Sequence, residues 1–344
     1  MDMTGLMALA LREGASDLHL AAGSAPMIRR GGEIHSLGLP VLDAAAMQGL
    51  LGQLMSAQQL KAYATLQDLD FCVALPGQGR VRVNAFVQLQ GAAAVLRLIP
   101  ATVPSLATLQ LPDVFRQIAE RPAGLVLVTG PTGSGKSTTL AALVDHLNSQ
   151  RGVHILTLED PIEFIHTPAR SRVSQREIGR HSPGFTQALR AALRQDPDVI
   201  MLGELRDLDT IRLALSAAET GHLVLATLHS RSAASSIDRL VDVFAAEEKA
   251  LVRTMLAESL QAVVAQVLVR QVDGGRVAAH EVLLATPAVR NLIREGKVGQ
   301  LYSAMQTGAA IGMQTLDSCL QGLVRRGVIS REVARVNARS PEAL

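Results

Sequence analysis

The chain of 344 residues is long enough for two domains with substantial cores, and 48% apolar with 19% charged residues is the balance of a soluble globular protein. A formal net charge of +2 gives no bulk electrostatic reason to expect nucleic acid or anionic lipid as a partner, and 2% aromatic residues leave almost no rings on which bases could stack. The two cysteines, Cys72 and Cys319, lie far apart and argue against both a disulfide framework and a zinc site.

The N-terminal stretch MDMTGLMALALREGASDLHL lacks the basic start and long apolar run of a signal peptide, and no segment approaches the ~18 apolar residues of a spanning helix. The expected compartment is the cytoplasm, with peripheral contact to a membrane complex left open. Residues 3–12 have helical spacing, SDLHLAAG and PMIRRGGEIHSLG read as strands around a Gly-Gly turn, and residues 43–66 read as helical. RVRVNAFVQLQGAAAVLRLIP is two alternating runs around Gln-Gly, a hairpin signal. Residues 1–99 are therefore expected to form a small α+β domain. Residues 100–112, with Pro100, Pro104 and Pro112 and few charges, are expected to be a linker.

From residue 113 the rhythm changes. GLVLVTG, HILTLE, DVIML and HLVLATL are near-continuous apolar runs separated by helical patterns, as in a parallel sheet covered on both faces. The class is α/β. Beyond residue 245, EEKALVRTMLAESLQAVVAQVLVRQ and everything after residue 285 read as mostly helical.

GPTGSGKST at 130–138 follows a strand and opens a helix, the context a phosphate-binding loop requires. Gly130, Thr132, Gly133, Ser134, Gly135 and Thr138 would bring backbone N–H groups and the helix N-terminus onto phosphate oxygens. Lys136 would reach the β- and γ-phosphates, and the Ser137 hydroxyl would ligate Mg²⁺. Four of the 33 basic residues are Lys, yet this position is one of them, because a compact ammonium fits where a planar guanidinium does not.

Carboxylates for the reaction come from two strand ends. DVIMLGELRD places Glu204 after an apolar strand, where α/β sheets bind ligands, and LTLEDPIEF offers Glu159, Asp160 and Glu163. The strand HLVLATLHS carries His222 before it and His229 after it. His229 falls at the phosphate edge, where an imidazole can bind a γ-phosphate. A core histidine satisfied by backbone is the alternative for both rings.

The phosphate loop, LEDPIEF, GELRD and AETGHLVLATLHS, in that order, resemble the Walker A, aspartate box, atypical Walker B and histidine box of the secretion ATPase superfamily. The likeness spans almost the whole chain, and TPAVRNLIREGK at 286–297 resembles a motif of its pilus retraction ATPases, with Val289 a mild departure. LATLHS departs from the usual pattern at its final Ser. The resemblance implies a PAS-like N-terminal domain at 1–99, a RecA-like ATPase domain at 113–344 and a homohexamer with ATP bound between subunits. It makes Glu163 a catalytic acid and puts Glu204 at the Mg²⁺ or the attacking water, leaving open which is the general base. His222 and His229 become the histidine box. Arg80 and Arg82, on one strand face, and Arg97 on the paired strand would reach a neighbour's γ-phosphate in trans. It further implies an inner-membrane pilus platform protein as partner, with a paralogous retraction ATPase as a second candidate, and location at the pilus base. The activity implied is ATP-driven pilus retraction. The alternatives are a pilus-assembly or type II secretion ATPase and, from another class, a RecA-like nucleic-acid translocase, which low aromatic content opposes.

Overall fold

The computed structural model describes residues 2–75, 79–99 and 102–343, and the chain divides into two units, Met1–Thr102 and Val103–Leu344. In the first, helix α1 (Met3–Arg12) is followed by strands β1 (Asp17–Ala21), β2 (Met27–Arg30) and β3 (Glu33–Ser36), helices α2 (Ala44–Leu54) and α3 (Ala57–Leu66), and strands β4 (Asp68–Leu75), β5 (Gly79–Gln88) and β6 (Gly91–Ile99). Asp2, Asp43 and Ser56 start the three helices by accepting orphan backbone N–H groups. The sheet is antiparallel, ordered β3-β2-β1-β6-β5-β4. Along β5 the period of two buries Val81, Val83 and Ala85 and turns Arg80, Arg82 and Asn84 to the other face. The expected PAS-like α+β architecture is this one.

Within the segment expected to be a linker, Pro100 and Ala101 lie outside the described residues. Residues 103–112 belong to the second unit, where Leu106 and Leu111 pack on its core. Those two apolar side chains have surface to bury there, which holds the proline-framed stretch against the unit.

The second unit opens with α4 (Val114–Ala119), β7 (Gly124–Thr129), α5 (Lys136–Gln150), β8 (His154–Glu159) and β9 (Arg172–Glu177). It continues through α6 (Phe185–Ala192), β10 (Val199–Leu202), α7 (Leu208–Glu219), β11 (Leu223–Leu228), α8 (Ala233–Asp242) and α9 (Lys249–Ser259). Strands β12 (Leu260–Arg270) and β13 (Arg276–Leu284) follow, then α10 (Pro287–Arg294), α11 (Leu301–Thr307), α12 (Leu316–Arg325) and α13 (Arg331–Asn337). The sheet order is β13-β12-β7-β11-β10-β8-β9, parallel except for β13. Every residue of β7, β10 and β11 is buried, the pattern of strands covered on both faces. This is the RecA-like phosphate-loop architecture.

One expectation fails here. Residues 260–284 form a β-hairpin, so 260–271 do not continue the helix expected over 247–271. The apolar run LQAVVAQVLV continues the helical pattern of α9, but it is rich in Val and finds a partner on each side, β7 in parallel and β13 in antiparallel register. Tertiary pairing overrides the local pattern.

Candidate nucleotide site

The loop between β7 and α5 is shaped by its glycines. Gly130 has φ +152°, and a Cβ there would stand 2.3 Å from the Gln266 carbonyl oxygen and 2.5 Å from Ser134 Oγ. Gly133 and Gly135 take φ of +78° and +86°, a left-handed backbone that a side chain would strain. Lys136 is buried at the first position of α5, its Nζ donating to the carbonyls of Gly130 at 2.9 Å and Pro131 at 3.0 Å. Burial lowers its pKa, and the charges of Glu204 and Glu163 oppose that shift. Thr132, Gly133 and Ser137 are exposed, Thr138 is half-buried, and the buried Ser134 Oγ has no hydrogen-bond partner among the described residues.

Parallel pairing brings three further strand ends to the same edge. Glu204, two residues past β10, is nearly buried and forms ion pairs with Arg206 Nη2 at 2.5 Å and His229 Nε2 at 3.2 Å. His229 stands just past β11, whose register on β7 sets Leu228 opposite Thr129. Glu159 ends β8 and is buried; one of its oxygens accepts from the Thr157 hydroxyl at 2.7 Å and Gln175 Nε2 at 3.2 Å. Its pKa is raised to about 7, chiefly because burial disfavours the carboxylate, with those two hydrogen bonds pulling the other way. Glu163, half-buried in the loop after β8, lies within electrostatic reach of both Glu159 and Lys136. The structure therefore gathers Lys136, Glu163, Glu204 and His229 at one place.

His222 is not among them. It precedes β11, where its carbonyl accepts from the Gly124 N–H at the start of β7, and its Nδ1 bonds the Ala217 carbonyl at 3.0 Å. Six strand residues at ~3.3 Å each separate it from the phosphate edge by about 20 Å. Within this chain it closes the turn after α7, apart from the residues gathered beside the phosphate loop.

The three arginines belong to the first unit. Arg82 lies directly across from Arg97 in the β5–β6 register, and Arg80 shares its face. Arg82 makes a two-pronged pair with Asp70, at 3.1 Å from Nε and 2.7 Å from Nη2, and Arg97 Nε donates to Asp17 at 3.0 Å. The carboxylates hold the guanidinium groups in fixed positions on that face.

Three features escaped the sequence reading. Arg206 pairs with Glu204 and was visible only as the Arg of GELRD. The Thr129 hydroxyl meets Ser230 Oγ at 2.6 Å, and Ser230 Oγ meets Ser236 Oγ at 2.7 Å, a buried hydroxyl chain tying the phosphate-loop strand to the start of α8. Beside the loop, a cavity of about 270 Å³ is walled by Thr108, Leu111, Thr138, Leu268 and Arg276 among others, a size suited to a small ligand. Its wall from 108–111 lies in the stretch expected to be only a linker.

Comparison with known proteins identifies the family. The family model described as "Type II/IV secretion system protein" matches residues 3–275. The chain is 57% identical over 342 residues, 99% of both sequences, to the "Type IV pilus retractation ATPase PilT" of Pseudomonas aeruginosa. It is 53% identical to the "Twitching motility protein" of Neisseria gonorrhoeae, over 93% of this chain and 86% of that one. A crystal structure of the pilus retraction motor PilT with bound ADP superimposes with a TM-score of 0.91 at 43% identity, covering 100% of this chain and 99% of that one. The chain belongs to the Type II/IV secretion system protein family and, within it, to the group of type IV pilus retraction ATPases.

Proposed function

We propose that the chain is an ATP-hydrolysing motor that withdraws type IV pili, acting as a homohexamer. The observation that carries this reading is the convergence of Lys136, Glu163, Glu204 and His229 beside a phosphate loop, in a chain like a pilus retraction ATPase from end to end. The loop's N–H groups and the start of α5 receive the phosphates, and Lys136 exchanges its carbonyl partners for phosphate oxygens. Leu111 and Leu268 offer the base an apolar wall, with Thr108 beside them. Glu204, or Glu163, takes a proton from the attacking water, and His229 pairs with the γ-phosphate while holding Glu204 in place.

Mg²⁺ fits this donor set, since the exposed Ser137 hydroxyl and the Glu204 carboxylate are hard oxygen ligands and the ion takes most of its remaining ligands from phosphate and water. When bound, it would neutralise charge building on the phosphates. Arg80, Arg82 and Arg97 are assigned to a neighbouring subunit's nucleotide. Loss of the γ-phosphate would release His229 and those arginines, and the two units of each subunit would then move against each other. The partner receiving this motion would be a platform protein of the inner membrane, with a paralogous retraction ATPase beside it. No helix among the described residues is long and apolar enough to cross a membrane, so attachment would be peripheral.

The test is a count of surface pili by electron microscopy in cells lacking this chain, beside their movement over a surface. Abundant pili without movement support retraction. Bald cells mean an assembly motor, and unchanged cells remove the pilus role.

A further inference from the structure

We propose that Gln266 is a positioning residue of the nucleotide site, holding the phosphate loop in its binding shape from the neighbouring strand. The inference rests on the reading of this loop as an ATP site. Gln266 lies on β12, one position past the last β12–β7 pair, Ala265 with Thr129. It is 2% exposed, so both ends of its amide must find partners inside the protein. Both do, and both partners belong to the phosphate loop or the helix it opens. Nε2 donates to the Ser134 carbonyl at 2.6 Å, and Oε1 accepts from the Thr139 hydroxyl at 2.9 Å.

Three further features fit the loop to this residue. The Gln266 backbone carbonyl lies where a Cβ on Gly130 would be 2.3 Å away, so the loop's first glycine is needed for the closeness of β12 as well as for its φ. A Cβ on Gly135 would come within 3.3 Å of Gln266 Nε2. The polarity of the amide is also fixed. Turning it over would set Oε1 against the Ser134 carbonyl, two acceptors with no proton between them.

The consequence for binding follows from peptide geometry. In a trans peptide the C=O and the next N–H point in opposite directions. A Ser134 carbonyl drawn onto Gln266 therefore turns the Gly135 N–H away from β12, free to donate to a phosphate oxygen. Without Gln266 the Ser134–Gly135 peptide can rotate, and the loop loses a donor already set in direction. An interaction of this kind acts equally on ATP and on the transition state, because both present the same phosphates to the loop. Its loss raises KM and leaves kcat nearly unchanged.

The experiment compares the purified wild-type chain with Gln266→Met, which has similar length and no hydrogen-bonding ability, and Gln266→Glu, which keeps an acceptor for Thr139 but not the donor to Ser134. ATP turnover gives kcat and KM, ADP titration gives Kd, and thermal unfolding without nucleotide reports stability. Both variants should weaken ADP binding about tenfold, a shift of ~1.4 kcal/mol, with kcat within about twofold of wild type. Thr139→Val should add little on a Gln266→Met background, since the two residues share one clamp. Wild-type affinity in either folded variant, or full additivity with Thr139→Val, overturns the proposal. If Gln266→Met does not fold, Gln266→Glu alone decides. A wild-type chain that binds no nucleotide sinks the ATP reading itself, a result distinct from either.

Discussion

The two edges of the parallel sheet are built from the same seven strands and carry opposite chemistry. At the C-terminal edge, chain ends from β7, β8, β10 and β11 bring Lys136, Glu163, Glu204 and His229 together with Glu159 close by. At the N-terminal edge, His222 caps a turn and Arg290 of α10 donates to the carbonyls of Ala257, Glu258 and Ala285, closing the end of α9. The difference follows from parallel pairing, which turns every strand but β13 one way so that loops at one edge converge on the start of α5. The residues resembling the retraction motif lie at the other edge. On the proposed reading, hydrolysis and its mechanical use are then held apart by the length of a strand.

The sharpest break of this contrast is Glu204→Gln. The amide keeps the shape and removes the proton acceptor, so ATP turnover should fall by roughly 10²- to 10⁴-fold while ADP affinity stays near wild type. A steady-state assay beside nucleotide titration checks both. Near-normal turnover would move the general base to Glu163.

Next in size is the pH dependence of Glu159. In the unfolded chain its carboxyl ionises near 4.5, whereas in the fold it keeps its proton to about 7. Between those values the unfolded state binds fewer protons, so this group makes the protein less stable as pH rises from about 4.5 to about 7. The full cost, about 3 kcal/mol, is present above that window and absent below it. Glu159→Gln should therefore raise the unfolding temperature clearly at pH 8 and hardly at pH 4. Equal shifts at both would show that burial is not what governs this group.

Much of the active edge was legible because its rules are local. The glycine spacing of GPTGSGKST dictates a backbone that few other sequences adopt, and Gly203-Glu204 follows an apolar strand in plain view. What could not be read depended on register. Gln266 meets Ser134 and Thr139 across more than a hundred residues, and its strand was hidden because LQAVVAQVLV extends the helical pattern of α9 without a break. His222 stands apart from the gathered residues for a different reason. Both histidines flank one strand, and in a parallel sheet only the residue after the strand can stand at the ligand edge.

That asymmetry has its own test. His229→Asn should lower kcat about tenfold, because the Glu204 contact and the proposed γ-phosphate contact are both lost. His222→Asn should leave kcat within about twofold and cost ~1 kcal/mol of stability, the worth of one part-buried hydrogen bond. Equal losses of turnover in the isolated chain would break the contrast between the edges.

An equally small effect on turnover is expected from Arg290→Met. Its guanidinium closes the carbonyl end of α9, a favourable place for a cation, and removing it should cost about 2 kcal/mol of stability. ATP turnover at a temperature well below unfolding should stay within about twofold, while pilus retraction is lost. The control is demanding, because α9 runs directly into β12, and β12 carries Gln266 to the phosphate loop. A tenfold fall in turnover would mean that strand transmits the state of one edge to the other, and the separation of chemistry from mechanical output would then be a coupling through β12.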